Sequence, residues 1–198
     1  MSTLSCIVCT FAYLIILFAI VGIPLIVYYA QDPKDPTFTL EHASVNGFNL
    51  TSDGHLTSFF NIVLKANNPS RKMKLKYSKV RVSIYKDKQI LAKDALDDFA
   101  QRKHAVTMLR PEPVALDLSL DKGPRFNLEL ESGMGYISFG VFMTSDLNGD
   151  NLEVTCSPVF LNITISNSLV ASSPADAVNT SHKFQSMDCN VYVYSDDD

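Results

Sequence analysis

The sequence lacks the local patterns by which catalytic and metal-binding sites are usually recognised. Its four histidines, His42, His55, His104 and His182, are far apart, and none has the His-Glu-x-x-His spacing of a helical zinc site. No glycine-rich loop is present that could cradle a phosphate group. These absences argue against a zinc hydrolase and against a nucleotide-dependent enzyme.

Two stretches come close to functional motifs without matching them. In the segment 135–140, two residues separate Gly135 from Ser138, whereas a nucleophile elbow has only one residue between its first glycine and its serine. The segment therefore does not match that motif. The Asp146-x-Asn148-x-Asp150 run begins like an EF-hand loop, but its sixth and twelfth positions are not the required Gly and Glu. We therefore expect a non-catalytic protein that needs no metal or cofactor. A cryptic hydrolase, with its groups brought together only by the fold, is the alternative.

Charged residues are absent from Ile7 to Tyr29. A helix of this length measures about 35 Å, which is enough to cross a hydrocarbon core of about 30 Å. A cleaved signal peptide is the alternative, but its apolar region runs only about 7–15 residues and follows basic residues, which 1–5 lack. The pattern predicts a cytosolic tail at 1–5, a transmembrane signal anchor at 6–30 and a stalk at 31–36.

Three Asn-x-Ser/Thr sequons follow this segment, at Asn49, Asn162 and Asn179. Such sites are glycosylated only on a non-cytoplasmic face, so they favour an extracellular domain.

The four cysteines form two groups along the chain. Cys6 and Cys9 lie at the start of the apolar segment, where they could be palmitoylated or could simply pack against lipid. Cys156 and Cys189 lie in strand-like runs and could form a disulfide in an oxidising space.

From Thr37 onward, apolar residues recur mainly at every second position, which is typical of strands with one buried face. The predicted inward-facing runs are Phe60–Ala66, Val80–Ile84, Val114–Leu120, Ile137–Met143, Val159–Ile165 and Cys189–Val193. Asn148-Gly149 predicts a hairpin turn, because both residues tolerate positive φ. The segment 94–103 fits either a helical turn or an extended strand. We expect a mainly β domain at 37–195, folded as a two-sheet sandwich, followed by an acidic tail at 196–198.

Basic residues are concentrated between Lys65 and Lys88, where nine Lys or Arg accompany one acid, Asp87. A change of alternation near Ser78 predicts a bulge. The hypothesis is that this region contacts an anionic lipid surface or an acidic polysaccharide through Lys74, Lys76, Lys79 and Arg81. The alternative is a solvated sheet face that blunts an edge. No aromatic ladder accompanies the charges, which argues against nucleic acid as a partner.

The stretch Asn67-Asn68-Pro69-Ser70, with Tyr77 nine residues after Asn68, resembles the plant harpin-induced-like (NDR/HIN-like) family. Its members carry the group-two late embryogenesis abundant domain, also called the water-stress-and-hypersensitive-response domain. That family typically shows Asn-Pro-Asn here, and Ser70 replaces the last Asn. The Phe99-x-Gln101 pair is similar to the family's Phe-x-Gln segment, and Cys189 fits its late cysteine. We interpret Asn68, Pro69, Tyr77, Phe99 and Gln101 as a fold signature.

The resemblance implies a fibronectin-like antiparallel β-sandwich, held outside the plasma membrane by a single-pass anchor. It implies a non-enzymatic binding or adaptor role in plant defence or abiotic stress. The partners implied are the bilayer itself, anionic lipid, cell-wall polysaccharide or another membrane protein. A generic protective role in dehydrating membranes, with no specific partner, is the alternative.

Overall fold

The computed structural model describes residues 3–29, 35–163 and 184–195, and within the first of these ranges the side chains of residues 12–26. The chain divides into two compact units, Met1–Lys34 and Asp35–Asp198, which are described separately.

The N-terminal unit contains one helix, α1 (Thr3–Tyr29). It includes the uncharged stretch Ile7–Tyr29, which is therefore helical, as predicted. Pro24 lies inside α1 close to its C-terminal end, where few backbone hydrogen bonds depend on its missing N–H. Among the described side chains, which in α1 are those of residues 12–26, no helical stretch is long and apolar enough to cross a membrane.

The C-terminal unit is mainly β, as predicted. Its described residues form eleven strands and one helix: β1 (Thr37–Leu50), β2 (His55–Asn67), β3 (Leu75–Lys86), β4 (Gln89–Ala95), β5 (Phe99–Gln101), β6 (Val106–Leu109), β7 (Val114–Ser119), α2 (Lys122–Gly133), β8 (Tyr136–Leu147), β9 (Asp150–Asn162), β10 (Met187–Asp188) and β11 (Asn190–Tyr194).

The strands form one antiparallel sheet rather than the two separate sheets of a fibronectin-like sandwich, which corrects the prediction. The strand order is β10-β1-β2-β7-β4-β3-β8-β9-β11, with β5 added to β3 and β6 added to β2. A single residue pair, Lys93 with Val114, joins β4 to β7. This narrow connection divides the sheet into two halves: the β2 half contains β10, β1, β2, β6 and β7, and the β3 half contains β4, β3, β5, β8, β9 and β11. The sheet curls until its two edges meet at the C-terminal strands, because β10 pairs with β1 whereas β11 pairs with β9.

One hydrophobic core fills the space between the two halves. The predicted inward faces of β2, β3 and β8 are buried, and the rings of Phe60 and Phe139 meet across the core with centroids 5.4 Å apart. An edge-to-face contact of this kind adds about 0.5–1.5 kcal/mol to the burial of the two rings. The β4–β7 connection has few backbone hydrogen bonds, so the two halves are held together mainly by packing in this core.

The prediction for the Val114–Leu120 strand was wrong in its first half. Val114 and Leu116 are exposed, and Ala115 is buried between them. Asp117 adopts a φ of 50°, and the pairing of β7 with β2 changes register in this region. Because side chains alternate with a period of two, this irregularity reverses the face that the apolar residues occupy.

Two other local predictions are confirmed, and the structure decides between the two alternatives for a third segment. The bulge expected near Ser78 is present, since Lys79 has a φ of 54° and the β3–β8 register shifts between Ser78 and Arg81. The hairpin turn at Asn148-Gly149 joins β8 to β9, with φ values of 56° and 109°. The segment 94–103 is extended and includes β5.

Helix α2 was not predicted. It begins after Asp121 and buries Pro124 and Leu128 against the domain, while Phe126 and Leu130 are exposed. Exposed apolar residues at helical spacing obscure the amphipathic pattern by which a surface helix is usually recognised.

The two ends of the curled sheet carry different turns. The proximal end is where β1 begins, and it carries the turns 68–74, 102–105 and 148–149. The distal end carries the turns 51–54 and 87–88, helix α2 and the last residue of β9.

A disulfide joins Cys156 of β9 to Cys189, the residue between β10 and β11. The backbone N–H of Cys189 also donates to the carbonyl of Phe38 in β1, at 2.9 Å. Cys189 therefore ties the two edges of the sheet together.

Replacing both Cys156 and Cys189 by Ala should destabilise the domain by about 3–4 kcal/mol, because the bond closes a loop with a sequence separation of 33. Urea unfolding at fixed protein concentration measures this loss. Cys6→Ser with Cys9→Ser is the control and should leave the transition unchanged. A loss below about 1 kcal/mol would show that the C-terminal strands hold without the crosslink.

Candidate functional site

The residues of the family-like motif gather at the proximal end. Asn68 is fully buried directly after β2, and its side-chain oxygen accepts a hydrogen bond from the Ser70 N–H at 3.0 Å. Its amide nitrogen donates to the carbonyls of Met73 and Arg102, both at 3.1 Å. A single buried amide thus fixes the turn 68–74 and joins it to the turn 102–105.

Tyr77 and Gln101 form a second buried polar pair beside this turn. The Tyr77 hydroxyl donates to Gln101 Oε1 at 3.0 Å. Gln101 Nε2 donates to the Ala66 carbonyl at 2.9 Å and to Thr107 Oγ1 at 3.0 Å. Burial raises the pKa of the Tyr77 phenol well above its usual value, so Tyr77 stays a neutral donor.

Aromatic packing encloses this pair. The Phe99 ring stacks on Tyr77 with centroids 4.4 Å apart and 12° between the planes, and Phe38 meets Tyr77 edge-on at 6.2 Å. Pro69 follows the buried Asn68 and stands just beyond the end of β2. The five motif residues therefore lie together, but their polar atoms bond to the protein itself. The arrangement stabilises the proximal end and offers no reacting group.

The exposed surface of the same end is basic. The turns 68–74 and 102–105 contain no acidic residue and carry five exposed cations, which we call the basic rim: Arg71, Lys72, Lys74, Arg102 and Lys103. The ion pairs found within the described residues use other cations: Lys65, Lys79, Lys86 and Arg125. Arg102 and Lys103 were not part of the predicted contact surface, although the basic run after Gln101 was visible in the sequence.

The predicted contact residues divide between two environments. Lys74 and Lys76 are exposed at the proximal end. Lys79 lies further along β3, and its ammonium is 2.8 Å from the Asp146 carboxylate. Arg81 lines a shallow cleft of about 190 Å³ together with Asp146 and Glu153. Acidic neighbours therefore offset part of the charge on Lys79 and Arg81, whereas Lys74 belongs to the basic rim and Lys76 is exposed next to it at the start of β3.

The other predicted modification sites are not residues of the basic rim. Asn49 and Asn162 are exposed at the distal end, and Asn179 lies outside the described residues. Cys6 and Cys9 fall in the N-terminal part of α1.

One buried ionic cluster stands out near the distal end. Lys86 Nζ donates to Glu131 Oε1 and to Ser138 Oγ, both at 2.6 Å. Glu131 also accepts hydrogen bonds from the Ser138 N–H at 2.7 Å and from its hydroxyl at 2.8 Å. Lys86 and Glu131 are 7% and 15% exposed. The cluster attaches α2 to β3 and β8, and it borders a cleft of about 300 Å³.

No three His, Cys, Asp or Glu side chains within the described ranges are arranged to hold a metal ion.

Tyr77→Phe should change the alkaline stability of the domain. Folded Tyr77 keeps its proton while the unfolded residue ionises near pH 10, so its contribution is complete below about pH 10 and falls above it by about 1.4 kcal/mol per pH unit. The phenylalanine variant should lack this part of the slope. It should also lose about 1–3 kcal/mol near neutral pH, since Gln101 Oε1 loses its donor. Urea unfolding from pH 8 to pH 11 measures both effects, and equal slopes would contradict the assignment.

Lys86→Met should destabilise the domain by about 3–5 kcal/mol, because it leaves the Glu131 carboxylate buried without a counter-charge. Adding Glu131→Gln should restore part of this loss, since it removes the charge and keeps an acceptor for the Ser138 N–H. Thermal unfolding of the three variants tests the pair. An additive effect of the two substitutions would show that the residues do not interact.

The comparisons with known proteins found two plant relatives. The chain is 28% identical to an uncharacterised protein of Arabidopsis thaliana over 172 residues, covering 81% of this chain and 78% of the relative. It is 27% identical to NDR1/HIN1-like protein 26 of the same plant over 125 residues, covering 62% of this chain and 59% of that protein. No family model and no solved structure matches the chain. The chain is thus similar to an NDR1/HIN1-like protein, in agreement with the resemblance that its motifs suggested.

Proposed function

We propose that this chain is a membrane-attached, non-catalytic binding protein of plant defence or stress, with its β domain on the extracellular side of the plasma membrane. The observation that carries the proposal is the polarity of that domain. Its basic rim lies at the end of the sheet where β1 begins, and two exposed sequons lie at the opposite end.

Membrane attachment by α1 is supported by the sequence of the helix. Its 27 residues include no charged side chain, and 27 residues of α-helix measure about 40 Å. A helix satisfies most of its backbone groups internally, and the transfer of its largely apolar, uncharged surface from water to lipid is favourable. The proposed anchor therefore requires no contribution from the β domain.

An extracellular domain is supported by the distal end and by the disulfide. Asn49 and Asn162 both stand at exposed positions where an attached glycan would project away from the proximal end. The Cys156–Cys189 bond is of a kind that persists in oxidising compartments and is rare in the cytosol.

A binding role rather than catalysis is supported by the chemistry of Ser138, a serine that contacts the basic side chain of Lys86 beside a cleft. Lys86 would have to accept the Ser138 proton, but its ammonium is paired with Glu131. The Ser138 hydroxyl itself donates to the same carboxylate. This arrangement holds a charged pair in place and leaves no free base to activate a nucleophile.

The role in plant defence or stress is drawn from the similarity to NDR1/HIN1-like protein 26. We also propose that the β domain is the group-two late embryogenesis abundant domain of that family, since the motif residues Asn68, Tyr77 and Gln101 form its internal hydrogen bonds. A generic protective protein would not depend on any particular surface. A loss of function when the basic rim is neutralised would therefore favour a specific partner.

The proposed topology predicts that native protein from plant cells carries glycans on Asn49 and Asn162. Glycosidase treatment should increase its mobility on a gel, and Asn49→Gln with Asn162→Gln should reduce the shift. Protease added to intact cells should remove the domain. An unchanged mobility together with a protected domain would place the domain on the cytosolic side and overturn the proposal.

A further inference from the structure

The basic rim is held in a fixed shape by the interior of the domain. Three hydrogen bonds connect its two turns: Asn68 N–H to the Ala105 carbonyl at 3.0 Å, Asn68 Nδ2 to the Arg102 carbonyl, and the His104 N–H to the Ser70 carbonyl at 3.3 Å. Within the first turn, Ser70 Oγ accepts from the N–H groups of Lys72 and Met73. Residues some thirty positions apart in sequence thus form one surface, and its cations need not be ordered when a partner binds.

An apolar side chain lies among these cations. Met73 is 40% exposed, and it is flanked in sequence by Lys72 and Lys74. Its carbonyl is held by Asn68, so the turn that presents it is anchored from inside. An exposed apolar side chain between basic residues matches the boundary of a bilayer, where acyl chains lie directly beneath phosphate groups.

Within the described residues, the exposed acids of this end lie outside the two rim turns, and they include Asp35 just before β1, Asp98 just before β5, Asp150 in the hairpin beside β3, and Asp188 in β10 opposite Thr39. Asp146 is occupied by Lys79. The two rim turns carry five exposed cations and no acid, so the positive charge of the proximal end is concentrated on the rim.

From this arrangement we infer that the basic rim, with the exposed Met73 among its cations, docks on anionic phospholipid headgroups of the membrane to which the chain is attached. This inference rests on the proposed membrane attachment, which would keep headgroups at a high effective concentration near the proximal end. An acidic wall polysaccharide offers the same charge but no apolar layer for Met73. Lipid is therefore the partner that matches both features of the rim.

The experiment uses the full chain in nanodiscs, with a polarity-sensitive fluorophore on Met73→Cys in a Cys6→Ser, Cys9→Ser background. Discs of phosphatidylcholine are compared with discs that contain 30% phosphatidylserine. The emission should shift to the blue only in the anionic discs, and NaCl should reverse the shift. The same fluorophore on Ser52→Cys, in a distal turn, should show no shift.

The matched variants each remove one Arg and three Lys. The rim variant carries Lys72→Gln, Lys74→Gln, Arg102→Gln and Lys103→Gln, and the control carries Lys88→Gln, Lys93→Gln, Arg110→Gln and Lys122→Gln, all at exposed positions. Each cation near an anionic surface strengthens binding about fivefold, so four give several hundredfold at low salt. Screening over about 8 Å reduces this at physiological salt. We expect the docking constant of the rim variant to fall at least tenfold there, and that of the control to change less than threefold.

Several results would overturn the inference. Equal emission in both kinds of disc would show that the rim does not meet lipid, and equal losses in the two variants would show that overall charge alone acts. Reversal of the shift in the anionic discs by pectate, at constant ionic strength, would identify wall polymer as the preferred partner. A chain that does not co-elute with discs would instead contradict the membrane attachment. In that case, failure of the chain to sediment with phosphatidylserine vesicles would overturn the rim inference as well.

Discussion

Gln101 links the two halves of the sheet at the place where the backbone ladder is interrupted. It extends from β5, which is added to the β3 half, and it donates to Ala66 and Thr107 in the β2 half. Tyr77 completes its bonding from β3. A buried amide with unmet hydrogen bonds costs several kcal/mol, so this group tolerates only the geometry in which both halves stand at the right separation. Packing drives the halves together, and the amide determines how they align.

The rest of the proximal end follows from that alignment. Once β5 lies beside β2, the turn after Gln101 comes within reach of Asn68, and the Arg102 carbonyl becomes a partner for its side chain. The opposite side is closed by Cys189, which is bonded to β1 through its N–H and to β9 through its sulfur. The β domain is therefore closed by the Tyr77–Gln101 hydrogen bonds on one side and by the Cys156–Cys189 disulfide on the other. The outer surface of the turns contributes little to either.

What could be predicted from the sequence was what depends on near neighbours. Alternation identified most inward faces, Asn148-Gly149 identified the hairpin, and the parity change near Ser78 identified the bulge. The face of Leu116 was wrong because one residue with positive φ, Asp117, reverses a period-two pattern without leaving a mark in composition. The single curled sheet was missed because it depends on pairings between β1 and β10 and between β9 and β11, which no local pattern encodes.

The motif residues and the residues of the candidate surface differ in burial. Asn68, Tyr77 and Gln101 are buried, and their polar atoms are bonded within the domain. A resemblance carried by such residues reports a way of closing the proximal end. The exposed residues that this closure displays, from Arg71 to Lys74 and at Arg102 and Lys103, make few demands on the interior, so their charges can differ without disturbing the fold. If the domain binds a partner through the proximal end, its specificity therefore resides in the residues of the two turns, and the motif supplies only their fixed spacing.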